Sequence, residues 1–353
     1  MNFEGELKTF LTVFEPYYLK YFSSRLKFVS KYAPLINKFY QDLFDFSSGG
    51  KKLRAFLVYL GYQIGESRSQ SGKWKEHLKR ILPISLAYEL VHSFLLIHDD
   101  IIDQSETRRG KPTIHKKYGK LFGDQYGISQ AIVLGDIAFL EAFNLINSSQ
   151  FGQNQKLLCQ KQLTNIVLET CYGEALDVEY SYKSATIDQI WQMTEFKTAK
   201  YTFIGPLSVG AALGGATNKQ LDDLAKFGLL TGKAFQLQDD VLGVFGDEKM
   251  LGKSILSDMR EGKNTVLIFK ARQMAKGQDK KVLEGLWGKE NAQSADLERM
   301  RRIIKDCGAL NWSNQEKEKL VKKAKVYVLK ITGDMKLQSL FYQITDFVIE
   351  RQS

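Results

Sequence analysis

Residues 84–109 read ISLAYELVHSFLLIHDDIIDQSETRR. A long apolar run drives into three carboxylates, Asp99, Asp100 and Asp103, and two arginines follow, Arg108 and Arg109. The run has no strand-like alternation, and on a helix its acids acquire a shared purpose. Asp99 and Asp103 then stand one turn apart on one face, and His92 falls on nearly the same face two turns earlier. Carboxylates cost free energy when buried unless a cation or donors compensate them. Hard oxygen ligands one turn apart suit Mg2+, which takes one or two carboxylates plus phosphate oxygens. The stretch therefore predicts a helix carrying a metal and phosphate site at the end of an apolar run.

Upstream, residues 3–46 predict two helices around the Pro34 break. SSGGKK at 47–52 is a turn that opens a new helix, LRAFLVYLGYQIG. Glycines before basic residues at a helix start expose backbone N–H groups and cations together, as a phosphate site requires. Lys51 and Arg54 are three apart and share a face. Alone, this signal is weak, because basic residues after a turn are commonly just solvated. Residues 66–79 are polar and read as a loop. Downstream, RRGKPTIHKKYG is basic and broken by Gly110 and Pro112. Helices are expected over 131–145, over 158–180 with Glu174 and Asp177, and over 190–207, which carries Lys197 and Thr198. The Gly- and Ala-rich 210–215 stretch implies close helix packing or a turn. Residues 229–247, LLTGKAFQLQDDVLGVFGD, repeat the opening theme: an apolar helix ending in adjacent acids, Asp239 and Asp240. One turn after Asp239 stands Gly243, and the next acid is Asp247. Lys249, Lys253, Arg260 and Lys263 follow. Beyond residue 266, helices alternate with polar loops, such as 278–281 and 289–294.

Composition sets the outer limits. The chain has 353 residues, 44% hydrophobic and 25% charged, enough apolar material for a sizeable core. Helical spacing dominates, so the chain reads as all-α. The formal charge of +10 admits nucleic acid, a membrane surface or a phosphorylated ligand. A nucleic-acid role is disfavoured, because the basic residues cluster around acids that would repel phosphate without a metal. Cys159, Cys171 and Cys307 are an odd number without CxxC spacing, which fits a reducing, cytoplasmic location better than a disulfide framework or a zinc site. The N-terminal MNFEGELKTF lacks a signal-peptide layout, and no apolar run is long enough to predict a transmembrane segment.

HDDIID and QDDVLG are the only internal echo. Acids on opposed helices, each followed by cations, would grip a diphosphate from both sides through divalent ions. A diphosphate so held is a better leaving group, because the charge developing on it is already matched. The apolar runs would house a hydrocarbon. Diphosphate departure, a carbocation and trapping by an alkene follow as the implied chemistry.

Five segments in order, GGKKLRA, ELVHSFLLIHDDIID with RRG, FKTAKYT, FQLQDDVLGVFGDEKMLGKSILSDMREGKNT and FVIERQS, closely resemble the trans-isoprenyl diphosphate synthases. The resemblance implies one polyprenyl synthase domain over 1–353: an isoprenoid-synthase helical bundle around a central apolar cavity, usually as a homodimer. It implies Mg2+-dependent condensation of isopentenyl diphosphate with an allylic prenyl diphosphate. By position, Asp99, Asp103 and Asp239 would bind Mg2+, about three ions with substrate bound, and Asp100 and Asp240 would support them. Arg108, Lys197, Gln236, Lys253 and Lys263 would hold the allylic diphosphate, with Thr198 near the reacting centre. Lys51, Arg54, His92 and Arg109 would hold isopentenyl diphosphate. The chain departs from the family pattern at Ala55, where proline is frequent, at Glu174, where glutamine is frequent, and at Gly243, which replaces an acid and puts a role for Asp247 in doubt.

Family members set product length with bulky side chains four and five residues before the first aspartate, here Leu95 and Phe94. One aromatic at the fifth position, with no insertion inside DDIID, resembles archaeal-type geranylgeranyl diphosphate synthases. Five residues of helix rise about 7.5 Å, a suitable distance below the metal site, but helix phase puts Leu95 on the Asp99 face and Phe94 to the side, so the floor role of Phe94 is what the resemblance implies. A farnesyl or longer-chain product is the alternative. A terpene cyclase would not need GGKKLR, His92 and RRG, and a non-catalytic subunit would typically lose one acidic motif. His98 and His115 are expected to be structural, and Arg351 belongs to a basic tail that a frayed terminus would equally explain.

Overall fold

The computed structural model describes residues 2–66, 74–247 and 256–351. Its helices are α1 (Phe3–Val29), α2 (Pro34–Ser48), α3 (Leu53–Glu66), α4 (Trp74–Ile102), α5 (Ile114–Phe122), α6 (Asp124–Ser148), α7 (Gln153–Tyr182), α8 (Ile187–Thr194), a π-helix (Glu195–Ile204), α9 (Gly205–Leu213), α10 (Asn218–Phe245), α11 (Ser257–Glu261), α12 (Val266–Met274), α13 (Gly277–Leu286), α14 (Ser294–Asp306), α15 (Ala309–Ile331) and α16 (Met335–Glu350). The strand content described is one hairpin, Thr107–Arg108 against Lys111–Pro112. The all-α expectation holds. The chain groups into two compact units, Met1–Leu163 with Pro206–Leu221 and Asp334–Leu340, and Thr164–Gly205 with Asp222–Gly333 and Phe341–Ser353.

In the first unit, α1 buries Phe3, Phe10, Phe14, Tyr18 and Phe22, spaced to form one face of a helix. Phe10 packs against Phe56 and Tyr59 of α3, with ring centroids 5.8 and 5.3 Å away. Pro34 opens α2, where its fixed φ and missing N–H cost nothing. A buried carboxylate, Glu141 of α6, pins α1 and α2 by accepting from Tyr21 at 2.6 Å, from Arg25 and from the Tyr40 hydroxyl. The Gly-rich stretch after residue 209 is both of the things its composition implied. A Cβ on Gly210 would overlap the Val58 carbonyl of α3, and Gly215 turns the chain with φ +86°.

Two helical stretches here, Leu78–Ile102 and Asp124–Ser148, are long and apolar enough to cross a membrane. This corrects the expectation that no apolar run reaches that length. Isolated acids such as Glu89, Asp136 and Glu141 interrupt the apolar runs in sequence without lowering the average enough. In the most apolar part of the first stretch 78% of the residues are buried, and in that of the second 39%, so α4 reads as a core helix, whereas α6 leaves Ile132, Val133 and Leu140 exposed. Leu121 and Phe122 of α5 are exposed as well.

In the second unit, Leu267, Ile268 and Ala271 of α12 pack with Leu283 of α13 and Met300 and Ile304 of α14. Phe227 of α10 meets Phe341 of α16 edge to face at 5.0 Å. Two boundary expectations change. Residues 278–281 are helical, within α13, because the apolar anchors Val282, Leu283 and Leu286 lie after that polar turn rather than within it. Likewise the polar 66–79 stretch is helical from Trp74 onward.

Candidate functional site

The aspartates sit where α4 stops. Ile102 is its last helical residue, yet the Asp103 N–H still bonds the Asp99 carbonyl at 2.8 Å. The one-turn relation between the two acids therefore survives, and they bring carboxylate oxygens within 4.8 Å of each other. Gln104 then takes a left-handed φ of +50° and breaks the helix. Arg108, on the hairpin, donates Nε to Asp100 Oδ1 at 2.7 Å and Nη2 to Asp99 Oδ2 at 3.0 Å. Asp100 is buried, its second carboxylate oxygen lacks a hydrogen bond, and burial pushes its pKa up to about 7. Asp99 and Asp103, partly exposed and all-oxygen, form the donor set that Mg2+ prefers. Asp100 is the better support than ligand.

Two turns back along α4 stands His92. Its pKa is held well below the ordinary value, first by burial and then by Arg54, Arg109, Arg108 and Lys52. The four cations named there belong to the GGKKLR turn and to RRG, so the fold brings these two motifs to one place. Arg109, itself in a left-handed conformation, lays its guanidinium on the glycine turn: a Cβ on Gly49 or Gly50 would come 2.7 or 2.8 Å from its nitrogens. It also donates to the Phe46 carbonyl at 3.2 Å. Arg54 is buried and Lys51 exposed.

Two residues here escaped the sequence reading. Lys52, with φ +53°, turns inward and donates to the Ser47 carbonyl and, at 2.7 Å, to that of Gly49. It ties the phosphate-type turn together from beneath. Glu89 is buried one turn before His92 and accepts the Ala55 N–H at 3.0 Å. A proline at position 55 would lack this donor. A glutamate within an apolar run was the only available signal for it.

Phe94 is nearly buried and Leu95 half-buried. The Phe94 ring lies 5.1 Å from that of Phe139 on α6 and 4.8 Å from His98, and Phe139 continues to Phe143 at 5.2 Å. Phe94 is thus one ring of an aromatic group shared by two helices. His98 has a packing role, with Nε2 3.2 Å from the Ile132 carbonyl, and His115 is buried.

The second unit holds the remaining candidates. Lys197 lies in the π-helix, where the expected continuous 190–207 helix widens by one residue per turn. A Cβ on Gly173 of α7 would overlap the Lys197 backbone nitrogen and stand 2.7 Å from its Cα, so only glycine permits this approach. Lys197 Nζ sits between Asp177 at 2.6 Å and Glu174 at 3.0 Å. Glu174 thus adds a second negative charge beside this lysine. Thr198 donates to Gln236 at 2.6 Å, and Gln236 donates to buried Asp240 at 2.9 Å. Asp239 pairs with Arg351. Lys263 pairs with Glu261 at 3.0 Å. Gly243 is buried and Asp247 exposed. Lys253 lies outside the described residues.

A polyprenyl synthetase family model matches residues 33–304. A geranylgeranyl diphosphate synthase of Methanosarcina mazei is 32% identical over 307 residues, 86% of this chain and 87% of that protein. A geranylfarnesyl diphosphate synthase of Aeropyrum pernix is 31% identical over 310 residues, 86% of this chain and 91% of that protein. The crystal structure of a geranylgeranyl pyrophosphate synthase of Corynebacterium glutamicum, complexed with isoprenyl diphosphate and magnesium, superposes with a TM-score of 0.90. It is 26% identical and covers 98% of this chain and 99% of that one.

Proposed function

This chain belongs to the polyprenyl synthetase family, and from that premise we infer that it is a trans-prenyltransferase that condenses isopentenyl diphosphate with an allylic diphosphate to make geranylgeranyl diphosphate. The carrying observation is the group of cations around His92, two turns from the aspartate end of the same helix. One substrate diphosphate needs the acids and a metal. A second needs direct cations. The end of α4 supplies the acids, and the start of α3 with the hairpin brings the cations beside His92, a pairing that a reaction with a single diphosphate substrate would not require.

Asp99 and Asp103 are the proposed Mg2+ ligands on α4, and Asp239 a further ligand on α10. Bound there, Mg2+ would neutralise charge developing on the departing diphosphate. Arg108 holds the acids apart in register and turns a guanidinium toward the same anion. Lys197 and Lys263 are the proposed cations for the allylic diphosphate, with Lys253 carried by resemblance alone. Gln236 and Thr198 present a polar pair beside the reacting centre. Lys51, Arg54, His92 and Arg109 orient isopentenyl diphosphate so that its alkene meets the allylic carbon. The C–O bond to diphosphate breaks, the alkene closes on the cation, and a proton leaves to the departed diphosphate. No protein base is required.

Residues 1–163 and the later segments act as one synthase domain in this reading, because the chain passes between the two units repeatedly. A second copy of the chain is proposed to cover the apolar face formed by Leu121, Phe122, Ile132, Val133 and Leu140, a face of a kind that marks protein interfaces. A cytoplasmic location belongs to the same proposal and rests on three free cysteines.

Incubation with Mg2+, labelled isopentenyl diphosphate and allylic primers of each length, with sizing of the products, tests the reading. Elongation of no primer would end it. A dominant product longer than geranylgeranyl diphosphate would favour the second reading, which the similarity to a geranylfarnesyl diphosphate synthase supports.

A further inference from the structure

Arg351, at the end of the described chain, is held as firmly as a core residue. Its side chain is only 9% exposed, and its guanidinium lies 3.6 Å from the centroid of the Phe235 ring. Nη2 donates to the Phe235 carbonyl at 3.2 Å and to Asp239 Oδ1. Its backbone is fixed from both sides. The N–H bonds the Phe347 carbonyl at 3.1 Å, and the carbonyl accepts from Gln238 Nε2 at 2.9 Å. Gln238 is in turn clamped through its oxygen by Lys317, a buried lysine whose pKa burial pushes down. Burying a lysine costs free energy, and here that lysine holds the glutamine that holds the tail.

We propose that Arg351 is a latch on Asp239: it holds one oxygen of the carboxylate of the second acidic motif in the substrate-free enzyme and competes with a divalent cation for that oxygen. The inference rests on the reading of Asp239 as a metal ligand. A guanidinium on Oδ1 and a divalent ion on the same carboxylate repel one another, so each weakens the hold of the other. Asp239 keeps 40% of its side chain exposed, so an ion can reach it from solvent once the arginine leaves. Metal loading at Asp239 and release of residues 347–351 are then coupled, each favouring the other. Until a metal arrives, the pair also keeps Asp239 from facing its neighbour Asp240 uncompensated.

The test uses the full-length, ligand-free enzyme and Mn2+ as a paramagnetic probe, with free ion followed by electron spin resonance. R351A is expected to bind Mn2+ roughly fivefold more tightly than wild type, the scale of one partly exposed ion pair. K322A, which removes an exposed charge from the same unit, should match wild type. D239N should weaken binding and abolish the effect of R351A in the double variant. Hydrogen exchange of the peptide ending at Arg351 should rise on Mn2+ addition in wild type and be high without metal in D239N. R351A binding Mn2+ no more tightly than wild type, including the case in which neither binds, overturns the latch. D239N binding as wild type does overturns instead the assignment of Asp239 to the metal.

Discussion

At the scale of single residues, environment decides what a side chain does. His92 is a histidine on an apolar helix, and its identity alone does not separate a packed imidazole from a ligand. Burial and four nearby cations keep it neutral. Its folded pKa is depressed, so below about pH 6.5 the unfolded chain binds a proton that the folded one refuses. Stability due to this residue is present above that pH and lost as pH falls through it. H92N in the ligand-free enzyme should therefore lose less melting temperature than wild type between about pH 7.5 and about pH 5.5, and equal losses would exclude His92 as the source. Phe94 makes the second case. Its ring rests on Phe139, so Phe94→Ala should lengthen the products by one or more prenyl units while lowering stability by about 3–5 kcal/mol, the usual cost of a buried Phe→Ala change. Unchanged product sizing in a folded variant would refute its role as a floor.

At the scale of elements, the informative feature is the π-helix. Its sequence, EFKTAKYTFI, carries no signal that distinguishes it from an α-helix. What shapes it is the backbone of α7 passing so closely that Gly173 has no room for a Cβ. Gly173→Ala should push the π turn aside, costing about 1–3 kcal/mol of stability and lowering kcat by up to about a hundredfold through misplacement of Lys197 and Thr198. Gly285 lies in α13 with open space around its missing Cβ, so Gly285→Ala should leave kcat unchanged and stabilise slightly. A Gly173→Ala enzyme with wild-type kcat would show that the close approach is only packing. The same distinction applies to α4. Its helical character is legible in its apolar spacing, whereas the turn that ends it at Gln104 required the left-handed backbone to be seen.

At the scale of the whole molecule, α6 combines membrane-span composition with three exposed large apolar residues, Ile132, Val133 and Leu140. A second copy of the chain is the proposed cover. Leu140→Lys, at a position 60% exposed, should convert a dimer to monomer in light scattering without loss of helix content. A wild-type chain that is monomeric at micromolar concentration would remove this part of the proposal. Sequence alone determined the all-α class, the family and the two acidic motifs, because helical periodicity and clustered carboxylates are local properties that neighbours along the chain already express. The tertiary structure decided what is long-range. Asp100 is buried beneath Arg108, Lys52 braces the glycine turn, and Glu89 answers the N–H of Ala55. Glu174 and Asp177 share Lys197, and the tail arginine closes on Asp239. Each of these pairs joins groups distant in sequence or separated by a turn. Burial and the need to compensate charge select such partners only after the helices have packed.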